Sequence, residues 1–562
     1  MSEQSVRPRP DAGQPSTKSH GTLVCWFIVL TMFVVVCTLH FRKLGTAPKG
    51  FFVDECSIAY NAYCIARTGA DEYGTSWPIF FRSLDTYDDP ADVYSAVPPM
   101  RAVGLEKWAA RLPCGLYSLL ACVAFSLLLR HWRFEAPIAV AGGFLLSVIP
   151  WVFPLSRNCS FAGHIAALLG LVAGLALTGS AWRRQSTWRA VLAGAVWAFT
   201  FYTHQSFLPV LALLAIGCAI VLCRPLMRQW RLIVVMMLSA LVVLLPLIIS
   251  VLRFPQGLTA RFQQVGVSSE PAPLTGLITG VGSRYLDYFS PRFLLLSGDS
   301  NLRHHTGHGG ELYWCLAPLI LAGLYVTIRY WRQHASHRII LVGILVSPVA
   351  AALTVDRMHS TRCVYAVIFW LLLAMVGAQT LWRHRSVGRK LLAVACVAGL
   401  IESSVYFADY FGAYQTRSAA AFQPAVTEAL EYCFDHVSSN QTLYVENSMG
   451  AACNAFIHPD FKPYLYAYLL FFGRIDPWSY QHGGFSNTVI RPWYGHIDQP
   501  GLFLRCNLAP VPIGPTSYQG TAERTPVLIS PNAEAVPSGA KLLATFPDVA
   551  FANQEYQVYA VK

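Results

Sequence analysis

Apolar residues run in long blocks along this chain, and short polar stretches separate them. Eleven such runs fall near 22–41, 112–129, 136–153, 161–179, 190–203, 207–223, 232–252, 312–328, 339–354, 364–381 and 391–407. About 20 predominantly apolar residues cross a bilayer as an upright helix, so the pattern predicts a polytopic membrane protein. The polar stretches sort the runs. Every second short one is basic: Arg130 and Arg133; Arg183, Arg184 and Arg189; Arg224, Arg228 and Arg231; Arg329, Arg332 and Arg338; Arg383, Arg385, Arg389 and Lys390. The intervening stretches, such as 154–160 and 204–206, are nearly free of Lys and Arg. Basic loops stay on the cytoplasmic side, so the alternation predicts eleven spans, an inner N-terminus and an outer C-terminus.

Residues 1–21 are polar and rich in Pro and Ser, which predicts a disordered cytoplasmic tail. The run from Thr22 to Phe41 lacks a small-residue cleavage site and reads as a retained anchor. Three outer segments are long: 42–111, 253–311 and 408–562. Within the last, Ala425–His436 has helical amphipathicity, while Thr442–Glu446, Thr525–Ser530 and Glu555–Val561 read as strands. The expected architecture is an all-α membrane domain over 22–407, followed by a small α/β or α+β domain outside.

Composition narrows the class. Of the 562 residues 54% are hydrophobic and 13% charged, against roughly 25% charged in soluble domains. The net charge of +12 sits in short interspan clusters, which excludes a nucleic-acid-binding face. No GxGxxG or P-loop opens a helix after a strand, so no nucleotide site is expected. The 15 cysteines form no CxxC pair, and several, such as Cys25, Cys37, Cys122 and Cys396, lie inside apolar runs as small apolar residues.

The first outer segment is the most informative. Ile58, Ala59, Ala62, Ile65 and Ala66 recur at helical spacing, too few and too polar around them to span. They predict a helix lying on the membrane surface, ended by Gly69. Asp54 and Glu55 stand at its N-terminus, where an acid either caps the helix or acts as a general base on an incoming hydroxyl. Asp71 and Glu72 follow in the turn to Gly74. A helix from 55 to 67 is about 20 Å long, so Asp54 and Asp71 do not share one reacting centre.

Here a resemblance enters. Asp54-Glu55, Ala59-Tyr60-Asn61-Ala62-Tyr63, Thr68 to Gly74, Trp77-Pro78, Phe80-Phe81, Tyr94, Pro98-Pro99 and Ala110 to Pro113 together resemble the first outer loop of GT-C type membrane glycosyltransferases. These are the relatives of protein O-mannosyltransferases and of the aminoarabinose transferase. Later blocks agree: Ser147 to Arg157, Phe201 to His204, Asn301 to His304, Gly310 to Tyr313, Asp356 through His359 to Arg362, Asp409 to Phe411, and Tyr414. The resemblance covers about 20–430. It implies a catalytic aspartate at Asp54, with Glu55 beside it. Relatives often carry a further acid after the third span, but Leu155 to Ser160 has none. This departure weakens the expectation of a bound divalent metal, which the resemblance still allows, and predicts activity that survives chelation.

Other polar positions gather at outer span ends. His304, His305, His308 and Glu311 form a metal-like cluster, although Gly307, Gly309 and Gly310 favour a plain polar loop. Arg362, with His359 and Asp356, is suited either to lipid head groups or to the phosphate of a lipid-linked donor. Arg303, Arg157 and Arg111 are weaker versions of that arginine. Asp71 and Glu72 complete the substrate-binding candidates. The expected function is transfer of a sugar from a polyprenyl-phosphate donor to a lipid, glycan or protein hydroxyl outside the plasma membrane, with inversion and without a cofactor. A flippase for lipid-linked glycans and a non-catalytic envelope scaffold are the rival classes. Nearly charge-free spans, Glu402 aside, speak against the first.

Overall fold

Each of the eleven apolar runs coincides with a helix in the structure, a computed structural model. It describes residues 18–83, 86–267, 273–384, 386–436, 442–446, 465–484, 490–493, 501–508, 540–547 and 554–561. The chain enters through α1 (Lys18–Phe41), then α2 (Val53–Thr68), a hairpin of β1 (Phe81–Ser83) and β2 (Thr86–Asp88), and α3 (Pro90–Val103). The bundle continues with α4 (Lys107–His131), α5 (Ala136–Val148), α6 (Ala162–Arg184), α7 (Thr187–Phe199) and α8 (Phe207–Val221). After α9 (Cys223–Arg228) come α10 (Trp230–Arg253), α11 (Gln256–Val265) and α12 (Leu274–Asp287). The last bundle helices are α13 (Ala317–Arg329), α14 (Ala335–Val346), α15 (Val349–Ala352), α16 (Ala366–Arg383) and α17 (Val387–Phe411).

Among the described residues, six helical segments are long and apolar enough to cross a membrane: Lys107–His131, Cys159–Arg184, Trp230–Arg253, Ala335–Ala352, Ala366–Arg383 and Val387–Phe411. Their surroundings differ. α16 is enclosed by its neighbours, whereas α10 and α17 present almost their whole circumference outward. Leu241, Val242 and Leu245 on α10, and Val394, Val397, Leu400 and Ile401 on α17, are exposed. An apolar surface of that extent is stable only against lipid. Where α13 crosses α16 the backbones nearly touch, since a Cβ added at Gly323 would lie 1.9 Å from the Leu373 carbonyl oxygen. Small residues at such crossings let dispersion replace the hydrophobic drive that lipid removes. Glu402, the acid inside α17, accepts the Cys315 N–H at 3.2 Å, so the helical end before α13 occupies it.

The two ends of the bundle have different chemistry. At one end the basic helix termini meet: Arg183 donates to the His131 carbonyl, Gln185 to Gln229, and Arg338 to the Val221 carbonyl. At the other, loops interlock through His40 and Ser147, Trp151 and Ser360, and Tyr414 and Leu302.

Beyond α17, the short α18 (Ala413–Arg417) and α19 (Ala419–Phe422) lead to α20 (Pro424–His436), with α21 (Leu465–Phe472) and α22 (Pro477–Gly483) further on. Five strands form a mixed sheet in the order β4-β3-β5-β7-β6. They are β3 (Thr442–Glu446), β4 (Ile490–Trp493), β5 (Gly501–Leu508), β6 (Lys541–Pro547) and β7 (Gln554–Val561). β3 pairs parallel with β4 and β5, and β7 pairs antiparallel with β5 and β6. The sequence-read helix at 425–436 and strands at 442–446 and 555–561 fall on α20, β3 and β7. The stretches 1–17 and 525–530 lie outside the described residues.

α2 departs from its expectation. Its buried residues include Cys56, Ser57, Tyr60, Asn61 and Cys64 as well as the apolar stripe, so it is enclosed rather than half-immersed. α3 packs on one side, and α21 and α22 on another. The Tyr60 hydroxyl donates to the Ile475 carbonyl at 3.2 Å, and Gln481 Nε2 to the Asp71 carbonyl at 2.7 Å. The predicted end is observed: Gly69 adopts φ 74° and its N–H bonds the Ile65 carbonyl.

Candidate functional site

The N-terminus of α2 decides where the two leading acids point. The N-cap is Phe52, in extended backbone and without a side-chain cap. Asp54 is therefore the second helical residue and caps nothing, against the capping expectation. Successive side chains on a helix diverge by about 100°, so Asp54 and Glu55 face different surroundings.

Glu55 turns inward. It accepts the Phe52 N–H at 3.2 Å and forms an ion pair with Arg111 at 2.7 Å, both side chains 0% exposed. Arg111 commits Nε and Nη2 to Glu55, and its remaining donors to the carbonyls of Leu44, Pro48 and Gly50. All five N–H donors of a guanidinium are thereby used. Arg157 is buried likewise and binds the carbonyls of Leu39, His40, Arg42 and Ala47. These placements correct three expectations. Glu55 and Arg111 are closed off from any substrate, and Arg157 spends both terminal nitrogens on backbone carbonyls, its buried Nε having no hydrogen-bond partner among the described residues. They fasten the loop after α1 to α2, α4 and the turn at 155–157.

Asp71 and Glu72 are also enclosed. Asp71 Oδ1 accepts the N–H groups of Tyr73 and Thr75, closing a turn. Glu72 accepts from Asn61 of α2 and Tyr466 of α21. Substrate contact is thus not what these two acids do. Burial pushes the Glu72 pKa up to about 8. A carboxyl with a raised folded-state pKa stabilises the fold below its unfolded value and loses that contribution as pH rises toward the folded one. The melting temperature should therefore fall between about pH 4.5 and pH 8, more steeply in the native chain than in Glu72→Gln. Equal slopes in thermal melts across that range would refute the assignment.

Asp54 faces the other way. Its side chain is 38% exposed, and Oδ2 lies 3.6 Å from Arg303 Nη1. The Arg303 Cζ lies over the Phe52 ring, 4.0 Å from its centroid, a cation–π contact that holds the guanidinium beside the carboxylate. Enclosure by protein raises the Asp54 pKa, while Arg303 and Arg261 pull it part of the way back. His304, next in sequence to Arg303, is close enough to Asp54 for their charges to interact. The His304 ring lies 4.6 Å from that of His359, and Arg362 pairs with Asp356 at 2.7 Å. So Asp54, Arg303, His304, His359 and Arg362 come together from three separated segments of the chain.

The metal-like sequence cluster divides. His305 donates to the Gly310 carbonyl and accepts the Gly307 N–H, so both ring nitrogens hold the loop. His308 is exposed, and Glu311 accepts the Ser360 hydroxyl and the Asp299 N–H. Only His304 faces His359.

Several residues here had no sequence expectation. Asp88 is pushed up to about 8 by burial and then by Asp54. Asp89 holds His204 at 2.7 Å, Asp92 accepts the Gly163 N–H at 2.6 Å, and Asp299 receives His304 Nδ1 at 2.9 Å. The signal was the run Asp88-Asp89-Pro90, an acidic stretch with proline at a helix start, which reads as capping until its partners on other helices are known.

No protein-family model and no curated protein sequence matches the chain. Solved structures do. Apo ArnT from Cupriavidus metallidurans aligns with a TM-score of 0.52 and 13% identity, over 95% of this chain and 98% of that one. The same protein bound to undecaprenyl phosphate gives 0.52 and 13%, over 94% and 97%. The Archaeoglobus fulgidus oligosaccharyltransferase in its apo form aligns less closely, with a TM-score of 0.44 and 14% identity over 74% and 62%. The ArnT likeness establishes the class of fold. Over nearly its whole length the chain has the membrane fold of ArnT.

Proposed function

We propose that this chain is a membrane glycosyltransferase. It moves a sugar from a polyprenyl-phosphate donor to a hydroxyl of a lipid, glycan or protein acceptor on the extracytoplasmic side, with inversion. The observation that carries the reading is the half-open Asp54 carboxylate, 3.6 Å from an arginine held over the Phe52 ring. The fold shared with ArnT, one structure of which is bound to undecaprenyl phosphate, supports the donor class.

In this reading Asp54 accepts the proton of the acceptor hydroxyl as its oxygen attacks the anomeric carbon. The bond from that carbon to the phosphate oxygen breaks, and the electron pair leaves with the lipid phosphate. Arg303 meets the charge that develops there, and His304, His359 and Arg362 line the phosphate side. Burial and then Asp54 raise the Asp88 pKa to about 8, so the Asp88 carboxyl is mostly neutral near pH 7 and does not oppose a negative charge on Asp54.

Arg303→Ala should lower kcat/KM for the donor by roughly 10- to 100-fold, the loss of one charge-assisted contact, and Arg303→Lys should recover part of it. Unchanged donor kinetics in Arg303→Ala would remove the phosphate assignment. Mass spectrometry of membrane glycans and glycolipids, with and without the gene, identifies sugar and acceptor.

Topology supplies an independent check. A reporter active only outside the cytoplasm should be active when fused after residue 562 and silent near Arg332. A silent C-terminal fusion would mean an odd error in the span count and would put Asp54's face in doubt.

A further inference from the structure

We propose that the cavity between the ends of α2, α3 and α21 binds the phosphate head group of an anionic membrane lipid. The cavity measures about 320 Å³. Its walls include Tyr63 and Arg67 of α2, Arg101 of α3, Leu105, and Arg474 from the turn after α21. All three arginines are exposed. Arg67 donates from Nε to the Tyr63 hydroxyl at 3.1 Å, and its Cζ lies 5.2 Å from that ring centroid. Among the described residues neither Arg67 nor Arg101 has an ion-pair partner. Arg474 has one, Glu106, at 2.6 Å. Asp476, whose charge also reaches Arg67, accepts the N–H and hydroxyl of Ser479 through Oδ2. Arg67 and Arg101 stand in the last turns of their helices, where a cation suits the dipole. Arg474 lies outside any helix, so the dipole does not account for three guanidiniums around one cavity. Their planar forks match the oxygens of a phosphate.

The surroundings place that phosphate on a lipid. α4 begins just after Leu105, and one side of it is turned outward: Leu116, Leu120, Val123 and Leu127 are exposed at spacings of four, three and four. Trp108, in the first turn, is exposed too. From Trp108 to Leu127 the helix rises about 28 Å, close to the roughly 30 Å of a hydrocarbon core. Tryptophan favours the membrane–water interface, so Arg101 and Leu105 stand at head-group depth. A lipid whose phosphate sits among the arginines has its acyl chains along the Leu116–Leu127 side of α4.

The site is separate from the reacting centre. Arg67 is thirteen residues along α2 from Asp54, about 20 Å of helix. The lipid would tie the ends of α2 and α3 to the turn after α21, and so hold the C-terminal cover on α2. Neither the binding nor this tie rests on the transferase reading.

The test uses the purified full-length chain, stripped of lipid and returned to vesicles of phosphatidylcholine, alone or with phosphatidylglycerol. Retained lipid is counted by native mass spectrometry, and melting is followed in each vesicle. The native chain should retain phosphatidylglycerol over phosphatidylcholine and melt higher with it. The double variant Arg67→Ala, Arg101→Ala should bind phosphatidylglycerol roughly 10- to 30-fold more weakly, and its thermal gain should vanish. Both side chains are exposed, so this variant should melt with the native chain in phosphatidylcholine alone, which separates loss of lipid from loss of fold. Arg329→Ala with Arg332→Ala, exposed at the opposite end of the bundle, should keep the thermal gain, as should Arg303→Ala. Equal phosphatidylglycerol retention by the native chain and the Arg67, Arg101 variant would overturn the proposal. The same thermal gain from inorganic phosphate without lipid would overturn it too, as would a gain lost only in Arg303→Ala. No transfer assay is involved, so failure of this site and failure of the transferase reading are distinct outcomes.

Discussion

The Asp54→Asn variant is expected to melt close to the native temperature and to transfer sugar roughly 10²- to 10⁴-fold more slowly, the usual contribution of a general base. Asparagine has the shape of aspartate and keeps its hydrogen-bond acceptor, but it cannot take up the acceptor's proton. Structure strengthens the first half of this expectation. Asp54 caps nothing, is partly open, and its nearest described ion-pair partner is 3.6 Å away, so little stability depends on it. In the native chain, activity should fall as pH drops through the raised Asp54 pKa, because only the ionised carboxylate accepts a proton. Turnover and thermal melts measured on the same preparation settle the matter. An Asn variant with normal turnover would end the general-base assignment.

Its neighbour in sequence should behave in the opposite way. Glu55→Ala strands the Arg111 guanidinium, 0% exposed, without its counter-charge. Breaking one side of a buried pair typically costs about 3–5 kcal/mol. Here the damage extends to the loop at 44–50, whose carbonyls Arg111 holds, and to the Cys159 N–H that Glu55 accepts. A drop of many degrees in melting temperature is expected, with a matching loss of folded protein in the membrane. A Glu55→Ala variant that melts with the native chain would show the pair to be dispensable. Asp54 and Glu55 thus give a paired experiment at adjacent positions: one variant folded and inactive, the other unstable.

That contrast shows what the sequence could and could not convey. The eleven apolar runs were legible because the bilayer demands helices and long apolar stretches, a constraint written locally. Arg303, His304, His359 and Arg362 were expected on the same outer side as Asp54, but nothing local set these five, which the structure brings together, apart from Asp71, Glu72, Arg111 and Arg157. Glu55 was not separable from Asp54, since adjacency in sequence hides the turn of about 100° between them. Arg111 and Arg157 looked like free cations because nothing local announces the backbone carbonyls that surround them. α2 was read as a surface helix because its second cover, α21 and α22, comes some 400 residues later. Asp88, Asp92 and Asp299 were missed for the same reason, as their partners lie on distant segments.

The contact between α2 and the C-terminal segments bears on how the protein is made. Tyr60 and the Ile475 carbonyl that it bonds are separated by 415 positions. Synthesis proceeds at about 5–20 residues per second, so the helix bearing Asp54 emerges roughly 20–80 s before its cover. Through that interval Tyr60 and Cys64 lack the cover that α21 and α22 supply, although most of the apolar helices are already made. Assembly of this chain therefore closes at its beginning: residues 465–484 complete the enclosure of a helix laid down at residues 53–68.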